Sequence, residues 1–375
     1  MKVAIDGRRL KKNSGGVGHY VYRLVDILSK KIECMVFVGG KNDLPEFENP
    51  ERIDFVTVPG NVPVSIKRFN VENKLFTKIL RQKKVDLYHG MDSMGVPNVD
   101  IPKVITVHDL IPLVLGEYLN FFTKIIYKYS IKRSVKKADH IICISEFTMN
   151  ELNKLLNVPK EKMTVISNGY YVADFSEVKK EDLNIKLPRE YIVYVGSLGS
   201  RKNIPNMLKA YKLFLEDELD APDLVIIGEF KPILKKEIQE YMDLRDSLGI
   251  KEKVIFTGTV SDSHLAFIRS RALFALYVSN YEGFGLPIVG AMYQGIPMIT
   301  SNVTAMPDVA EDGALLVDPS DVKEMARNMK LLYTDANMRK RLIKRGKQIC
   351  RKYTWEKTAE QTLGLYNVLL SSFSN

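Results

Sequence analysis

Short runs of apolar, often β-branched residues alternate with longer segments of helical periodicity along nearly the whole chain. The short runs are typical of buried strands, and the longer segments repeat apolar residues three or four positions apart. Twelve strands are predicted in this way, at Lys2–Asp6, Met35–Val38, Asp54–Val58, Leu87–His89, Val104–Val107, His140–Ile144, Thr164–Ile166, Tyr191–Val195, Leu224–Ile227, Val254–Phe256, Leu273–Val278 and Pro297–Thr300. Such alternation predicts parallel sheets covered by helices on both faces, so the expected fold class is α/β with doubly wound sheets.

The strand series is interrupted once, which predicts two domains. The 375 residues exceed the roughly 250–300 at which a single hydrophobic core stops growing. A polar, lysine-rich interval separates the first seven predicted strands from the last five. We therefore expect a first domain over residues 1–172, a linker over 173–190 and a second domain over 191–352.

Composition favours an ordinary globular protein. About 45% of the residues are apolar and 27% are charged, which argues against disorder. The longest apolar run, Ala272–Val278, is far shorter than the ~18–20 residues of a membrane-spanning helix, and charges interrupt the first ten residues, where a signal peptide would need an apolar segment. Cys34, Cys143 and Cys350 are widely spaced, so buried reduced thiols in a cytoplasmic protein are expected, and no His/Cys cluster has the spacing of a zinc site.

The net charge of +10 is concentrated in the first half of the chain. Residues 1–178 hold 27 Lys and Arg against 20 Asp and Glu, a balance of +7. Basic and apolar residues mix in two predicted helices, over 66–84 and 118–137. Each helix either lies on an anionic membrane surface or buries its apolar stripe and leaves its lysines in water. Nucleic acid is not an expected partner, because no nucleic-acid-reading motif accompanies the charge.

Three glycine-bearing loops follow predicted strands, where open α/β sheets bind their ligands. The loop 14–18 (SGGVG) precedes a helix expected to start near His19, and it is a poor dinucleotide-binding fingerprint because the third glycine is missing. The loop 196–203 (GSLGSRKN) places Arg201 and Lys202 beside the start of a helix, where they would clamp a diphosphate. Two cations oppose the helix dipole there, so we expect an anion to compensate them.

The loop 281–289 (YEGFGLPIV) is the most informative of the three. Its glycines at 283 and 285 expose backbone amides next to the carboxylate of Glu282, which could accept hydrogen bonds from sugar hydroxyls. The alternative is that Glu282 merely caps the helix that opens at Leu286. That alternative gives the flanking glycines no purpose.

These motifs identify a resemblance that runs nearly from end to end of the chain. The sequence resembles family 4 glycosyltransferases of the GT-B architecture, and is most similar to the mannosyl- and rhamnosyltransferase-like members. The resemblance rests on segments in the family's order, namely AIDGRRL with GGVGHY, VITVHDLIP, ICISEFT, VISNGY, YVGSLGSRKNI, VIFTGTVSD, YEGFGLPIVGAMYQGIPMIT, DGALLVDP and YTWEKTAEQTLGLY. It implies two Rossmann-like domains facing across a cleft, the first on the acceptor side and the second binding the nucleotide sugar. The final segment, 353–375, would cross back to the first domain as a helix.

The resemblance also implies a role for each matching residue in binding or transferring a donor sugar. Gly16 would approach the donor diphosphate, and His108 would reach the donor sugar or its leaving phosphate. In the second domain, Lys202 with Arg201 would neutralise the diphosphate, and Glu282 would bind the sugar hydroxyls. The remaining donor-site positions are Ser197 and the amides of Phe284, Gly285 and Leu286, with Gly258 and Val260 bordering the nucleobase.

Two positions depart from the family pattern. The family usually has a second glutamate eight residues after the first, in contact with the ribose, and here that position is Gly290. Arg often stands where Ser197 stands, and this chain resembles a variant that keeps its cation at Arg201. A deoxyribose donor would lose less from the absent glutamate, which raises a dTDP-sugar as a hypothesis.

The expected activity is retaining transfer of a hexose or deoxyhexose from a nucleoside-diphosphate sugar to a lipid-linked or oligosaccharide acceptor of a surface polysaccharide. No cofactor or metal is expected, since no Asp-x-Asp pair ends a strand in a position to hold Mg²⁺. The enzyme would work in the cytoplasm, either free or peripheral on the inner membrane face. Two alternatives stay open: a weakly active or inactive paralogue that binds a partner or a glycan, and a phosphorylase-like use of the fold with a pyridoxal cofactor.

Overall fold

The computed structural model describes residues 1–11, 15–40, 43–58, 66–92, 95–115, 121–183, 185–230 and 232–373, with side chains described outside 66–73, 121–123 and 233. The chain divides into two compact units. The first comprises residues 1–169 and 354–375, and the second comprises residues 170–353. The interval 173–190 belongs to the second unit.

The first unit is built on a seven-stranded parallel sheet in the order β3-β2-β1-β4-β5-β6-β7. Its strands are β1 (Lys2–Asp6), β2 (Glu33–Val38), β3 (Ile53–Thr57), β4 (Leu87–Gly90), β5 (Lys103–Val107), β6 (His140–Cys143) and β7 (Met163–Val165). Its helices are α1 (Val17–Ser29), α2 (Ile66–Lys83), α3 (Ile111–Val114), α4 (Phe121–Lys137) and α5 (Glu146–Leu156). The strands are apolar on both faces, as burial between helix layers requires.

The second unit is built on a six-stranded parallel sheet in the order β10-β9-β8-β11-β12-β13. Its strands are β8 (Tyr191–Val195), β9 (Asp223–Ile227), β10 (Val254–Gly258), β11 (Phe274–Tyr277), β12 (Met298–Ser301) and β13 (Leu315–Val317). Its helices are α6 (Ile204–Asp217), α7 (Lys235–Ser247), α8 (Asp262–Ser270), α9 (Leu286–Gln294), α10 (Met306–Ala310), α11 (Val322–Thr334) and α12 (Ala336–Ile349). Two doubly wound parallel sheets confirm the expected fold class.

The structure corrects the sequence prediction at two elements. Strand β13 was not predicted, because it has only three residues and its Leu316 is exposed on the sheet edge, so it lacks a buried apolar run. Helix α1 begins at Val17, two residues before the expected His19. The two basic stretches are helical as predicted (α2 and α4), and Cys34, Cys143 and Cys350 are buried free thiols. Within the described part of the chain, helices are either too short or too polar to cross a bilayer.

The C-terminal helix α13 (Trp355–Phe373) belongs to the first unit, although it follows the whole second unit in sequence. Trp355 and Tyr366 are buried in the same apolar cluster as Val3 of β1 and Leu24 of α1. Gly169 lets the helix dock closely, since a Cβ on Gly169 would lie 2.5 Å from Trp355 Cα. Helix α13 and the first sheet therefore share one hydrophobic core.

Replacing Gly169 by alanine is expected to destabilise the first unit. The added methyl would meet the backbone of Trp355, which cannot swing away, and such overpacking costs about 1–3 kcal/mol. The control is Gly364→Ala on α13, where no atom lies within 4 Å of the new methyl, so the gain in helix propensity should stabilise by about 0.5–1 kcal/mol. Thermal unfolding measures both changes, and equal melting temperatures for the two variants would contradict this packing.

Candidate functional site

The two glycine loops of the second unit meet because their strands are neighbours. Strands β8 and β11 are adjacent and parallel, and the strand order reverses between them. The loops 196–203 and 278–285 leave the carboxyl ends of these two strands, the position at which doubly wound sheets bind ligands. A backbone hydrogen bond of 2.8 Å from Asn280 N to Arg201 O joins the two loops directly.

A buried carboxylate and two cations form the centre of this site. Lys202 Nζ and Arg201 Nη1 each lie 2.5 Å from Glu282 Oε1. Lys202 and Glu282 are 5% and 7% exposed, and the Arg201 side chain is 26% exposed. The anion expected to compensate the two cations at the start of α6 is thus Glu282 itself, from the neighbouring loop.

The electrostatics of the cluster keep Glu282 ionised. Burial raises the pKa of its carboxyl, but the adjacent charges of Lys202 and Arg201 more than offset this, so its pKa lies below the usual value. Both cations therefore face a full negative charge. An anionic ligand would compete with Glu282 for them.

Tyr277 belongs to the cluster, although the sequence analysis did not single it out. Lys202 Nζ donates to Tyr277 Oη at 2.7 Å and lies 4.7 Å from the centre of its ring. Burial raises the pKa of the Tyr277 hydroxyl well above its usual value. The signal available in sequence was its place as the last residue of β11, one strand away from the lysine loop.

The turn after β11 brings a helix start to the cluster. Gly285 has φ +112°, a conformation that side chains rarely adopt, and α9 begins at the next residue, Leu286. The amide of Glu282 donates to Thr304 Oγ1 at 3.2 Å, and Phe284 is buried edge-on against Tyr353, so the turn is fixed from both sides. Pro287 in the first turn has no amide, and the Ile288 amide donates to the Gly285 carbonyl at 2.9 Å. This helix start therefore attracts an anion chiefly through the positive end of the helix dipole.

The other predicted donor-site residues lie at the same edge of the sheet. Ser197 follows β8, and its carbonyl accepts a hydrogen bond of 2.8 Å from Tyr194 Oη. Gly258 ends β10 with φ +72°, and Val260 follows it. Because β10 is two strands from β8, these residues border the site about 10 Å to one side.

The space beside Gly290 is filled by neighbouring side chains. A Cβ at this position of α9 would lie 2.5 Å from Tyr170 Oη and closer still to Arg269 Nη1. Arg269 is 3% exposed, donates through Nε to Gln294 Oε1, and has its guanidinium carbon 5.6 Å from the centre of the Tyr170 ring. Two hydrogen-bond donors therefore occupy the space that the family's second glutamate would take.

The predicted residues of the first unit follow β1 and β5, which lie on either side of β4 in the parallel sheet. His108 follows β5, and Gly16, with φ +51°, precedes α1 in the connection from β1. His108 Nε2 lies 3.0 Å from the carbonyl of Met91, which follows β4. Since a carbonyl only accepts, Nε2 carries the proton and Nδ1 is left as an acceptor. Burial lowers the pKa of His108, so its ring stays neutral at a lower pH than that of an exposed histidine.

Two arginines that follow β1 are paired within the first unit. Arg8 makes a two-point contact with Asp6, at 2.5 and 2.8 Å, and is nearly buried. Arg9 is exposed and lies 3.3 Å from Asp92. In the loop that follows β4, residues 93–94 lie outside the described residues. In the described ranges, no group of three or more His, Cys, Asp or Glu side chains is arranged to hold a metal ion.

Comparisons with known proteins agree with this arrangement. The family model for glycosyltransferase family 4 matches residues 14–173, and the model for glycosyl transferases group 1 matches residues 175–349. O-antigen chain mannosyltransferase B of Escherichia coli is 26% identical over 98% of this chain and 100% of its own length. O-antigen chain mannosyltransferase RfbU of Salmonella typhimurium is 31% identical over 59% of this chain and 58% of its own length.

Solved structures show the same fold at low sequence identity. Sucrose-phosphate synthase from Thermosynechococcus elongatus superposes with a TM-score of 0.79 at 20% identity, covering 99% of this chain and 100% of that one. WaaG, a glycosyltransferase involved in lipopolysaccharide biosynthesis, superposes with a TM-score of 0.74 at 14% identity, over 98% and 99% of the two chains. With its two parallel-sheet domains and its two family matches, this chain belongs to the family 4 glycosyltransferases of the GT-B fold class and is a glycosyltransferase.

Proposed function

We propose that this enzyme transfers a hexose or deoxyhexose, with retention of configuration, from a nucleoside-diphosphate sugar to a lipid-linked or growing surface-polysaccharide acceptor. The acceptor class is supported by the two bacterial relatives named for the O-antigen chain and by WaaG. A mannosyl donor is favoured for the same reason, since both relatives are named mannosyltransferases. The nucleobase is left to experiment.

The observation that carries this proposal is the pairing of Lys202 and Arg201 with one buried carboxylate beside a helix start. Departure of a nucleoside diphosphate develops negative charge on phosphate oxygens, and fixed cations in a buried site stabilise that charge strongly. The cations are already held in place by Glu282 and Tyr277, so little reorganisation is needed when the diphosphate enters. No metal ion or organic cofactor is proposed.

Glu282 has two successive roles in this mechanism. Without donor it neutralises Lys202 and Arg201, which keeps two nearby cations stable inside the protein. When the diphosphate takes over the cations, the carboxylate oxygens become available to accept hydrogen bonds from the donor sugar. The sugar is thereby recognised only in a site that also holds a diphosphate.

The transfer step balances without a protein base. The bond from the anomeric carbon to the phosphate oxygen breaks, and the acceptor oxygen bonds to the same face of that carbon. The acceptor's hydroxyl proton passes to the departing phosphate oxygen. His108, with Nδ1 as an acceptor, would bind a sugar hydroxyl and orient the ring during this step.

The activity is tested by incubating purified protein with a panel of UDP-, GDP- and dTDP-sugars and a lipid-linked acceptor, and by measuring released nucleoside diphosphate. The proposal expects acceptor-dependent release from at least one donor, with an anomeric proton signal that shows retention. Binding of nucleotide without turnover of any donor would favour the inactive paralogue. An absorbance band of bound pyridoxal would favour the phosphorylase alternative.

We also propose that α4 places the enzyme on an anionic membrane surface at the cytoplasmic face. Lys124, Lys128, Lys132 and Lys136 form one exposed row at four-residue spacing along this helix. Ile125 and Tyr129, which are 46% and 43% exposed, lie beside the row. A lysine near an anionic surface contributes about 1 kcal/mol, and exposed apolar side chains add to the binding. The aromatic pair Phe121 and Phe122 and, on α2, Ile66 and Phe69 have side chains outside the described residues.

Membrane binding is measured by co-sedimentation with vesicles of phosphatidylglycerol and phosphatidylethanolamine. The double variant Lys128→Glu/Lys132→Glu is expected to bind at least tenfold more weakly than the unaltered protein. The matched control, Lys235→Glu/Lys236→Glu on the exposed face of α7 in the second unit, should bind normally. Equal losses in both variants would show that net charge alone governs binding, which contradicts a role for α4.

A further inference from the structure

A chain of buried polar side chains runs through the first unit from the C-terminal helix to the start of α1. Tyr366 Oη on α13 lies 2.6 Å from His89 Nδ1, and His89 Nε2 lies 2.8 Å from Thr106 Oγ1. Thr106 Oγ1 lies 3.2 Å from Tyr20 Oη in the first turn of α1. Three hydrogen bonds thus connect four residues that are far apart in sequence.

Each member of this chain is buried and satisfied by its neighbours. Tyr366, His89 and Thr106 are fully buried, and Tyr20 is 2% exposed. Burial lowers the pKa of His89 to about 3, so the ring is neutral and has one N–H donor and one acceptor nitrogen. Donation can therefore run through the whole chain in one direction or the other, depending on which ring nitrogen carries the proton, and in both cases Tyr20 Oη is bonded to Thr106 Oγ1.

Tyr20 contacts both residues of the first unit that were predicted to meet the donor. Its ring packs edge-on against the imidazole of His108, with centroids 4.8 Å apart and planes at 86°. Its amide donates to the carbonyl of Gly16 at 3.1 Å. The bond to Gly16 is a main-chain helix contact that any residue except proline would make, so the contact specific to the Tyr20 side chain is the one with His108.

The polar groups of this chain are not needed to fill the core. Phenylalanine at positions 20 and 366 and an apolar residue at 89 would fill the same space without any polar group to satisfy. The polar chain instead controls the angle of a ring that touches His108. Its far end lies on α13, so docking of the C-terminal helix also bears on that ring.

We propose that Tyr20 is a positioning residue for His108, and that Thr106, His89 and Tyr366 hold Tyr20 in place from the C-terminal helix. The proposal rests on the proposed function in taking His108 as a group that touches the donor. It assigns to α13 a role in turnover in addition to its packing role.

Three variants test the proposal in steady-state kinetics. Tyr20→Phe and Tyr366→Phe each remove one hydroxyl and are expected to lower kcat about three- to tenfold, while Tyr20→Leu removes the ring contact as well and should lower kcat at least 30-fold. Nucleoside diphosphate affinity should stay within twofold, because the cations that bind it belong to the second unit. The matched control is Tyr211→Phe, which removes a buried hydroxyl bonded to the carbonyls of Pro222 and Lys253, away from either site.

The proposal is contradicted if Tyr366→Phe and Tyr20→Leu both keep kcat within twofold of the unaltered enzyme, while losing stability as Tyr211→Phe does. A readout free of activity is the ring signal of His108 in protein labelled with ¹⁵N-histidine. Tyr366→Phe should shift the His108 signals although Tyr366 does not touch that ring, whereas Tyr211→Phe should leave them unchanged. Unshifted His108 signals in Tyr366→Phe would overturn the proposal even if no donor were found. Failure of the proposed function is a different result, namely no sugar transfer by the unaltered enzyme.

Discussion

Replacing Lys202 by methionine is expected to lower kcat by about 10²–10³-fold, the usual cost of removing one preorganised group that stabilises charge in a transition state. Methionine keeps most of the side-chain volume but removes the charge. Glu282 would then be neutralised by Arg201 alone, and Tyr277 would lose its hydrogen-bond donor. Donor affinity should fall roughly 10–100-fold, since a charged hydrogen bond is worth about 1.5–3 kcal/mol.

The measurement is steady-state release of nucleoside diphosphate from the preferred donor. The control is Lys212→Met on α6, a half-buried lysine that also pairs with a glutamate, at 3.4 Å from Glu216. It should leave kcat unchanged. If Lys202→Met retained more than half of the unaltered turnover, the assignment of the diphosphate site to this cluster would be wrong.

Replacing Glu282 by glutamine is expected to abolish most turnover, by at least 10²-fold, while strengthening the binding of free nucleoside diphosphate. The amide removes the charge that neutralises Lys202 and Arg201, so both cations become available to phosphate oxygens. Affinity for the diphosphate alone should rise several-fold. Affinity for the sugar nucleotide should gain less, because a contact to the sugar is lost.

This variant should also unfold more readily without ligand, because two cations near each other in a buried site lose their common anion. Nucleoside diphosphate should therefore raise its melting temperature more than it raises that of the unaltered enzyme. Glu216→Gln, the exposed partner of Lys212, is the matched control for the charge change. A Glu282→Gln enzyme that turned over normally would exclude Glu282 from the site.

The fold could be predicted from sequence because its determinants are local. Buried strands such as Tyr191–Val195 are continuous apolar runs, and the helices between them have their own period, so alternation alone indicated two doubly wound sheets. Strand β13 escaped prediction because a run of three residues on a sheet edge, with Leu316 exposed, carries no such pattern. The glycine loops were predicted for a related reason, since each directly follows or precedes a well-defined element.

The contacts that organise the site could not be predicted in the same way. Lys202 and Glu282 are 80 residues apart, and sequence indicated only that both follow strands, without showing that the carboxylate neutralises the cations. Tyr277 is the last residue of the buried strand β11, and an aromatic residue in such a strand normally signals core packing. The filling of the space at Gly290 by Arg269 and Tyr170, and the hydrogen-bonded chain from Tyr366 to Tyr20, depend on side chains brought together only by the folded chain.

Calorimetric titration of nucleoside diphosphate into the unaltered enzyme, Lys202→Met and Glu282→Gln determines whether the buried carboxylate and the diphosphate share one pair of cations. With UDP, GDP or dTDP, whichever binds most tightly, the dissociation constant should be at least tenfold higher for Lys202→Met and severalfold lower for Glu282→Gln. Equal dissociation constants in all three proteins, or weaker binding by Glu282→Gln than by Lys202→Met, would contradict the claim that Glu282 and the diphosphate compete for Lys202 and Arg201.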